Sequence, residues 1–351
     1  MRAIIETTKS VIKKTRTYLY HNEHNRDAHR ILKIVEKQKG PFNQNHKRLC
    51  IEYAQDVFGD KKYAPWLFVY SAFAREFKEG WISNNYYGQI VIPSINGNYG
   101  VIGDRNAVLN GLLRDMDTLD LGYYVNQLFI DTNYNALSEQ ELKKHLFKDN
   151  EKVVYKIEDS QRGQGIYFFK EKDFNTDTIK KLGNGVFQKY IIQHPFYNQF
   201  TDTSVATIRI TSVCDDEGNI EPRVGYFRFG RKNDSHVISK SALKLPFNIK
   251  TGELFDTAYY PTWKPTKHLP DNDVAFAGKI LPEFDKCIDK IKNMHSKVPF
   301  IRCIGWDVIV NNNNDVELIE LNGGHSGIKF SETVQGPNFK GLNWEKLHKT
   351  N

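Results

Sequence analysis

Cysteine is scarce in this chain: four in 351 residues, at positions 50, 214, 287 and 303, with no C-x-x-C spacing among them. That excludes a zinc knuckle and gives no disulfide framework, so the thiols are expected reduced in a cytoplasmic compartment. Long apolar runs are also missing. The longest, residues 64–74, contains Ser71 and is far short of the ~18 residues a membrane span needs. The first twenty residues scatter lysines through their length and show no cleavage site after an apolar run, unlike a secretory leader. No repeat is present, and no low-complexity tract beyond four consecutive asparagines at 311–314.

What is present reads as globular. Apolar residues make up 40% of the chain and charged residues 26%, a balance able to build a core. The length suits two domains or one elaborate one. The net charge of +7 is concentrated. Residues 1–48 hold twelve basic and four acidic side chains, and the rest hold 37 and 38. The body is almost neutral and the N-terminal arm is strongly basic. Ile4, Val11 and Tyr18, with Ile5, Ile12 and Leu19, recur every seven residues and predict one apolar stripe on a helix, with Arg2, Lys9, Lys13 and Arg16 off it. Such a helix either packs on the body or lies on an anionic surface. A second helical run around Ile31–Val35 is expected to end at Gly40-Pro41.

Further along, helices are expected over 43–59 and 64–80, a short strand over 89–93, and a helix from an Asp104 N-cap to Arg114. Strands are expected near 123–130, 152–158, 165–170, 185–192, 205–214 and 220–230, with helices near 138–148 and 173–182. A helix over 273–296 and two strands, 303–310 and 315–321, follow.

Three stretches carry chemistry. In the first, an apolar strand delivers Lys156, and the loop Ser160-Gln161-Arg162-Gly163-Gln164-Gly165 leads into a second apolar strand. Glycines admit phosphate oxygens to backbone N–H groups and the lysine supplies charge, although a plain hairpin can also carry Gly-x-Gly. It is not a P-loop, since Gly-Lys-Ser/Thr is missing. In the second, Gly305–Val310 and Glu317–Asn322 pair as a hairpin that sets Asp307 opposite the Glu320/Asn322 end. Three oxygen-bearing side chains then converge, which suits Mg²⁺ held together with substrate phosphates. The alternative is an ordinary hairpin with solvated carboxylates. The third, Phe187–Pro195, is either a core strand or an edge whose backbone holds an adenine.

In this order the three stretches resemble the ATP-grasp family: lysine strand and glycine loop, hinge strand, central sheet, and an Asp–(x12)–Glu–x–Asn signature at 307, 320 and 322. The resemblance spans roughly residues 100–340. Ala206–Thr211, Gln193-His194-Pro195 and Ile249–Leu254 bring it closest to the sugar-transfer-associated branch of surface-polysaccharide gene clusters. It implies an α+β fold in which two α+β subdomains clasp ATP behind an N-terminal helical region. The expected boundaries are 1–85 (helical, with the basic arm), 86–150 (N-terminal subdomain), 151–194 (lid) and 195–351 (central sheet with the metal site). It further implies ATP-binding roles for Arg105, Lys156, Ser160, Gly163, Gly165, Gln188, Lys189 and Ile191, and Mg²⁺ ligation by Asp307, Glu320 and Asn322. Arg209, with Lys156, would stabilise the transferred phosphoryl group. Two departures stand out. The family often carries an arginine two residues before the metal aspartate, where this chain has Gly305, so Arg209 or a loop lysine must substitute. The acceptor loop is also unusual, with Lys240 and Lys244 as candidate contacts to a γ-phosphate or an acceptor carboxylate, and His325 is a candidate substrate contact or a surface histidine.

The implied activity is an ADP-forming carboxylate–amine ligase that makes an amide through an acyl phosphate on a sugar or uronic-acid unit of a polysaccharide. The partners are then a small-molecule or glycan carboxylate and an amine. A sugar kinase and a non-enzymatic acidic-polymer binder are the competing readings. Nucleic acid is not expected, because the basic residues are confined to one arm. The arm, if it does not simply pack, would hold a cytoplasmic enzyme peripherally at the inner membrane face.

Overall fold

The computed structural model describes residues 2–158, 165–201, 203–230, 241–269 and 273–349. The chain divides into two compact units, residues 1–97 with 327–351, and residues 98–326.

The first unit is helical. Helix α1 runs from Arg2 to Lys39 without a break, where two helical runs were expected. The polar stretch between those runs has no glycine or proline to stop it, and the helix ends only at Gly40, at φ +91°. From residue 21 onward α1 buries His21, Ala28, Ile31 and Val35, spaced at three, four and seven residues. Before that point its apolar stripe is exposed: Val11 is 56%, Tyr18 69% and Leu19 57% accessible. Helix α2, Gln44–Phe58, starts at Asn43, whose side chain accepts from the Asn45 and His46 N–H groups at 2.8 and 3.2 Å. Helix α3, Ala64–Ala74, is buried along nearly all its length, as an all-round apolar helix must be. Residues 87–95 are helical turns rather than the expected strand. A short apolar run has no period of its own, and here it is buried as helix. Glu332, fully buried, accepts from Ile82 N–H at 2.9 Å and from both Asn338 nitrogens at 2.8 and 3.0 Å, tying the 327–338 segment to the chain after α3.

The second unit has two antiparallel sheets. The smaller contains β1 (Asp120–Val125), β2 (Leu128–Asp131), β3 (Lys152–Ile157), β4 (Ile166–Lys170) and β5 (Gly185–Lys189), in the order β2-β1-β5-β3-β4. Leu142 and Leu146 from helix Glu139–Phe147 and Ile179 from helix Thr176–Leu182 pack with Tyr155 and Phe187 into its core. The first of these helices opens with a capping box at Ser138 and Glu141.

The larger sheet contains β6 (Thr207–Cys214), β7 (Ile220–Phe229), β8 (Leu243–Pro246), β9 (Ala258–Tyr259), β10 (Pro265–Thr266), β11 (Cys303–Val310) and β12 (Val316–Asn322), in the order β10-β9-β8-β7-β6-β11-β12. Strands β6 and β11 are buried at every position. One face presents Ile208, Ile210, Phe227, Phe229 and Trp306 to a core shared with Cys287, Ile291 and Met294 of helix Phe284–Lys297. That helix starts eleven residues later than expected, because Gly278 and Pro282 interrupt the pattern. Alternation sends Arg209, Tyr226, Arg228 and Asp307 to the opposite face. Asp104 is not a cap: it closes a 3₁₀ turn, Tyr99–Asp104, and helix Asn106–Leu112 starts at Arg105 with no side-chain cap.

Candidate active site

The site is built on a row of residues across the larger sheet. Glu320 on β12 pairs with Asp307 on β11, Asp307 with Arg209 on β6, and Arg209 with Tyr226 on β7. Directly opposed residues in an antiparallel sheet hold their side chains on one face within contact distance. The hairpin expected from the 307/320/322 spacing therefore forms, with Asn322 opposite Gly305 and its carboxamide donating to the Gly305 carbonyl at 3.2 Å. A bulge follows. Val308 pairs with Leu318, so Ile319 is the extra residue. Its carbonyl, out of the ladder, accepts from Lys156 Nζ at 3.3 Å. The bulge in the carboxylate hairpin thus receives the lysine of the smaller sheet.

Arg209 holds the Asp307 carboxylate with a fork, Nε to Oδ1 and Nη2 to Oδ2, the latter at 2.7 Å, and also donates to the Ser326 carbonyl at 3.2 Å. Among the described residues, three of its five N–H groups are used and two remain. Burial disfavours the guanidinium charge, but Asp307 outweighs burial and holds its pKa above the ordinary value. Burial likewise pushes Asp307 up, and Arg209 overcomes it to hold this carboxyl below the usual range. Glu320 behaves differently. The residue is exposed at its position on β12, yet enclosure by neighbouring protein and the Asp307 charge opposite push it above the ordinary glutamate value. It makes no hydrogen bond among the described residues. Lys156 is pulled below the ordinary lysine value by burial, against the opposing influence of Glu320, Asp120 and Asp307.

Gly305 resolves the first departure from the family pattern. A Cβ at this position would stand 3.2 Å from Arg209 Nη1 and 3.1 Å from Ser326 Cβ. The space beside the aspartate is filled from the neighbouring strand instead of from position 305. Gly103 has a comparable role on β12: a Cβ there would meet the Leu321 carbonyl at 2.3 Å, so only glycine lets the 99–104 turn press against the strand that carries Glu320.

The nucleotide-side residues are distributed around this row. Gln188 is buried on β5, and its amide donates to Asp120 Oδ1 at 2.8 Å. Tyr123 donates to the other Asp120 oxygen at 2.8 Å. Asp120 was not legible as a site residue. Burial pushes its carboxyl up, and it lines a small cavity with Asn106, Gln188 and Glu320. Lys189 ends β5 with its backbone N–H on the Leu119 carbonyl and its side chain exposed. Ile191 packs at the margin of the larger core. Arg105 reaches Glu158, at the end of the lysine strand, at 3.9 Å. Gly165 has φ +73° and its carbonyl accepts from Ile157, whereas Ser160, Gly163 and Lys240 lie outside the described residues. The softer motif at 193–195 has a folding task. The Gln193 amide joins Asn198, the Thr201 carbonyl and the Ala206 N–H, and His194 caps the turn Pro195–Asn198.

The donors fit a magnesium ion. They are all oxygens, as a hard cation prefers. Two carboxylates opposed on adjacent strands repel, and Glu320 registers that repulsion. Among the described residues no three His, Cys, Asp or Glu side chains form a metal-holding group; the candidate set is two carboxylates and one carboxamide.

The model of the sugar-transfer associated ATP-grasp family matches residues 116–346. That is more than half of the chain, and the chain belongs to this branch of the ATP-grasp ligase family. With the family come its cofactors, ATP and Mg²⁺. No curated protein matches significantly. Similar solved structures include the ATP-grasp ligase PsnB complexed with a minimal precursor, 13% identical with a TM-score of 0.40, covering 73% of this chain and 64% of that one. A biotin carboxylase from Campylobacter jejuni in a β,γ-ATP complex is 14% identical with a TM-score of 0.43, covering 73% and 46%. The D-alanine–D-alanine ligase from Coxiella burnetii is 10% identical with a TM-score of 0.39, covering 71% and 59%. The chain thus spans about half to two thirds of the length of these proteins, and the family assignment stands on the match over 116–346 alone.

Proposed function

We propose that the protein is an ADP-forming carboxylate–amine ligase acting on a sugar or uronic-acid unit of a surface polysaccharide. The observation that carries this reading is the row Glu320–Asp307–Arg209 with Lys156 docked on its bulge. Opposed carboxylates for a cation stand beside two cations for phosphate charge, Arg209 buried and Lys156 half-buried.

In this reading ATP is a substrate. Gln188, Lys189 and Ile191 hold its adenine, Arg105, Lys156 and the 160–165 loop its phosphates, and Asp307, Glu320 and Asn322 the Mg²⁺. The ion, held there, would supply charge neutralisation for the triphosphate. The acceptor carboxylate attacks the γ-phosphorus and the bond to ADP breaks. The amine then attacks the acyl carbon, phosphate leaves and the amine loses a proton. Lys156 offsets the charge of two anions brought together, and Arg209 presents its remaining N–H groups to the transferred group. No cysteine or serine nucleophile is required.

Mg-ATP supplied with pools of uronic-acid glycosides and amines tests the reading, with ADP release and product mass as readouts. ADP formation that depends on both pools, with an amide product, is the expected result. Dependence on the sugar pool alone, with a stable phosphoester, selects a kinase instead.

The first half of α1 supports a second assignment, peripheral attachment to an anionic membrane face. Val11, Ile12, Tyr18 and Leu19 are exposed beside the basic Lys13, Lys14 and Arg16, the pattern of an interfacial helix. No helix among the described residues is long and apolar enough to cross a membrane. Removal of residues 1–19 is expected to abolish binding to anionic vesicles and to spare turnover of a soluble substrate. Unchanged vesicle binding would dismiss the assignment.

A further inference from the structure

Two strands of the smaller sheet bring another polar pair together, Asp120 on β1 and Gln188 on β5. On β5, Phe187 packs into the core of that sheet, and alternation turns Gln188 to the opposite face. Lys156 lies on the same face: on β3, Tyr155 enters the core, while its neighbours Val154, the partner of Gln188, and Lys156 turn away from it. On β1, Tyr124 and Leu121 both face the core. Unbroken alternation from Tyr124 would send Asp120 into that core. The ladder instead carries an extra residue: Asp120 pairs with Gln188 and Gly122 with Phe187, which leaves Leu121 between them. The bulge reverses the alternation and delivers Asp120 to the face of Gln188 and Lys156. Bulges re-aim side chains in this way beside functional sites.

The contact between the two residues has a direction. The Gln188 amide nitrogen donates to Asp120 Oδ1 at 2.8 Å, and the Tyr123 hydroxyl donates to Oδ2 at 2.8 Å. An ionised carboxylate only accepts, so the amide must meet it with its N–H edge and turn its carbonyl oxygen away. Burial pushes the Asp120 carboxyl up, while both donors and the Lys156 charge act to keep it ionised. Gln188 is 5% exposed and lines a small cavity with Asp120, Asn106 and Glu320. Its carbonyl oxygen makes no hydrogen bond among the described residues. A buried side chain that holds an acceptor in one orientation reads its ligand: an amino group at that point completes the hydrogen bond, and a carbonyl group is rejected. Adenine carries an amino group where guanine carries a carbonyl oxygen.

We propose that Asp120 is a positioning residue for base selection: by fixing the Gln188 amide it makes the site take an adenine nucleotide and refuse a guanine nucleotide. The proposal rests on the reading in which Gln188 faces the base of the nucleotide, and adds the residue that sets which edge of the amide the base meets. With a partner at 120 that both donates and accepts, the amide is free to turn over and suit either base. With a carboxylate there it is not.

Isothermal titration of the full chain with Mg-ADP and, separately, Mg-GDP at mildly alkaline pH tests this. The wild type binds Mg-ADP more tightly than Mg-GDP by about 100-fold or more, since guanine sets an acceptor against an acceptor. Asp120→Asn keeps the shape and frees the amide. Mg-GDP then tightens by about tenfold, the scale of one hydrogen bond, and Mg-ADP changes far less. Asp120→Asn/Gln188→Glu moves the carboxylate to 188, where it again only accepts, and restores the wild-type preference. A purely structural role for Asp120 would weaken both nucleotides alike and would not be rescued by that exchange. Asp120→Ser, whose hydroxyl also donates and accepts, is the second variant should Asp120→Asn fail to fold. An unchanged ratio of the two affinities in the folded variant overturns the proposal, as does an exchange that leaves the preference lost. A wild type that binds both nucleotides equally overturns it too, with the nucleotide site intact. A wild type that binds neither refutes the nucleotide reading itself, and is seen before any variant is made.

Discussion

Arg209 and Asp307 lie directly opposite each other on the adjacent strands β6 and β11 of the larger sheet, and the guanidinium grips both carboxylate oxygens in the protein interior. Each charge is buried, at 6% and 1% accessibility, and each is stable only because of the other. Removing one partner leaves an uncompensated buried charge, which costs about 3–5 kcal/mol. Arg209→Met is expected to lower stability by that amount in urea titrations. The double variant Arg209→Met/Asp307→Leu should recover a large part of it, because two apolar side chains bury without penalty, while ATP turnover stays lost in both.

Gly305 makes the second prediction. The Ser326 and Arg209 side chains crowd the space that a β-carbon at 305 would need. Gly305→Ala requires shifts of a few tenths of an ångström. Gly305→Val places two methyl groups against Arg209 and Ser326, an overpacking that costs about 1–3 kcal/mol. Turnover should fall with side-chain size while Mg-ADP affinity changes less, since the fork on Asp307 is displaced before the adenine contacts are. Equal turnover in wild type and Gly305→Val would show that Arg209 need not sit where it does.

Lys156 separates function from folding. Its ammonium is pulled below the ordinary lysine value by burial, so the fold holds that charge at a cost that its long hydrogen bond to the Ile319 carbonyl offsets only in part. Lys156→Met is expected to keep the thermal midpoint at or above that of the wild type and to reduce ATP turnover by about 10²–10³, the scale of losing one charge-stabilising donor. A methionine variant that turns over ATP at the wild-type rate would remove Lys156 from the site.

The hairpin of β11 and β12 was legible in sequence because alternation in paired strands is local, but the turn at 311–314 alone does not set its register: the bulge at Ile319 is what brings Glu320 opposite Asp307. Arg209 was named only through the family resemblance, on the motif Ala206–Thr211. Asp120 and Tyr226 were not legible. Asp120 matters only because β1 lies beside β5, and Tyr226 faces Arg209 only because β7 lies beside β6. Strand order is a long-range property with no local sequence period. One trace of it was present: residues 226–229 alternate Tyr-Phe-Arg-Phe, which marks two faces, one apolar and one charged. The strand expected over 89–93 became helical turns for a related reason, since the three apolar residues Ile90–Ile92 specify burial and leave the period undetermined. The continuity of α1 was missed because the polar residues of its middle third carry no apolar stripe, although they contain nothing that stops a helix.

Acid should weaken the fold through His295. The ring is fully buried under the larger sheet, with Nδ1 2.7 Å from Ser212 Oγ and Nε2 2.9 Å from the Ile301 carbonyl. Burial lowers its pKa to about 4, only partly opposed by the Ile301 hydrogen bond. The unfolded chain, with its histidines near 6.5, binds the proton more readily than the folded one. The stabilisation is therefore complete above pH 6.5 and declines as pH falls from 6.5 toward 4, by about 3 kcal/mol for this residue at the lower end. Glutamine spans a similar distance and keeps a donor and an acceptor, but does not titrate. His295→Gln should be less stable than the wild type at pH 7.5 and lose less stability between pH 7 and 4.5, so the two urea midpoints converge as the solution is acidified. Parallel midpoints across that range would show that His295 does not gain a proton on unfolding.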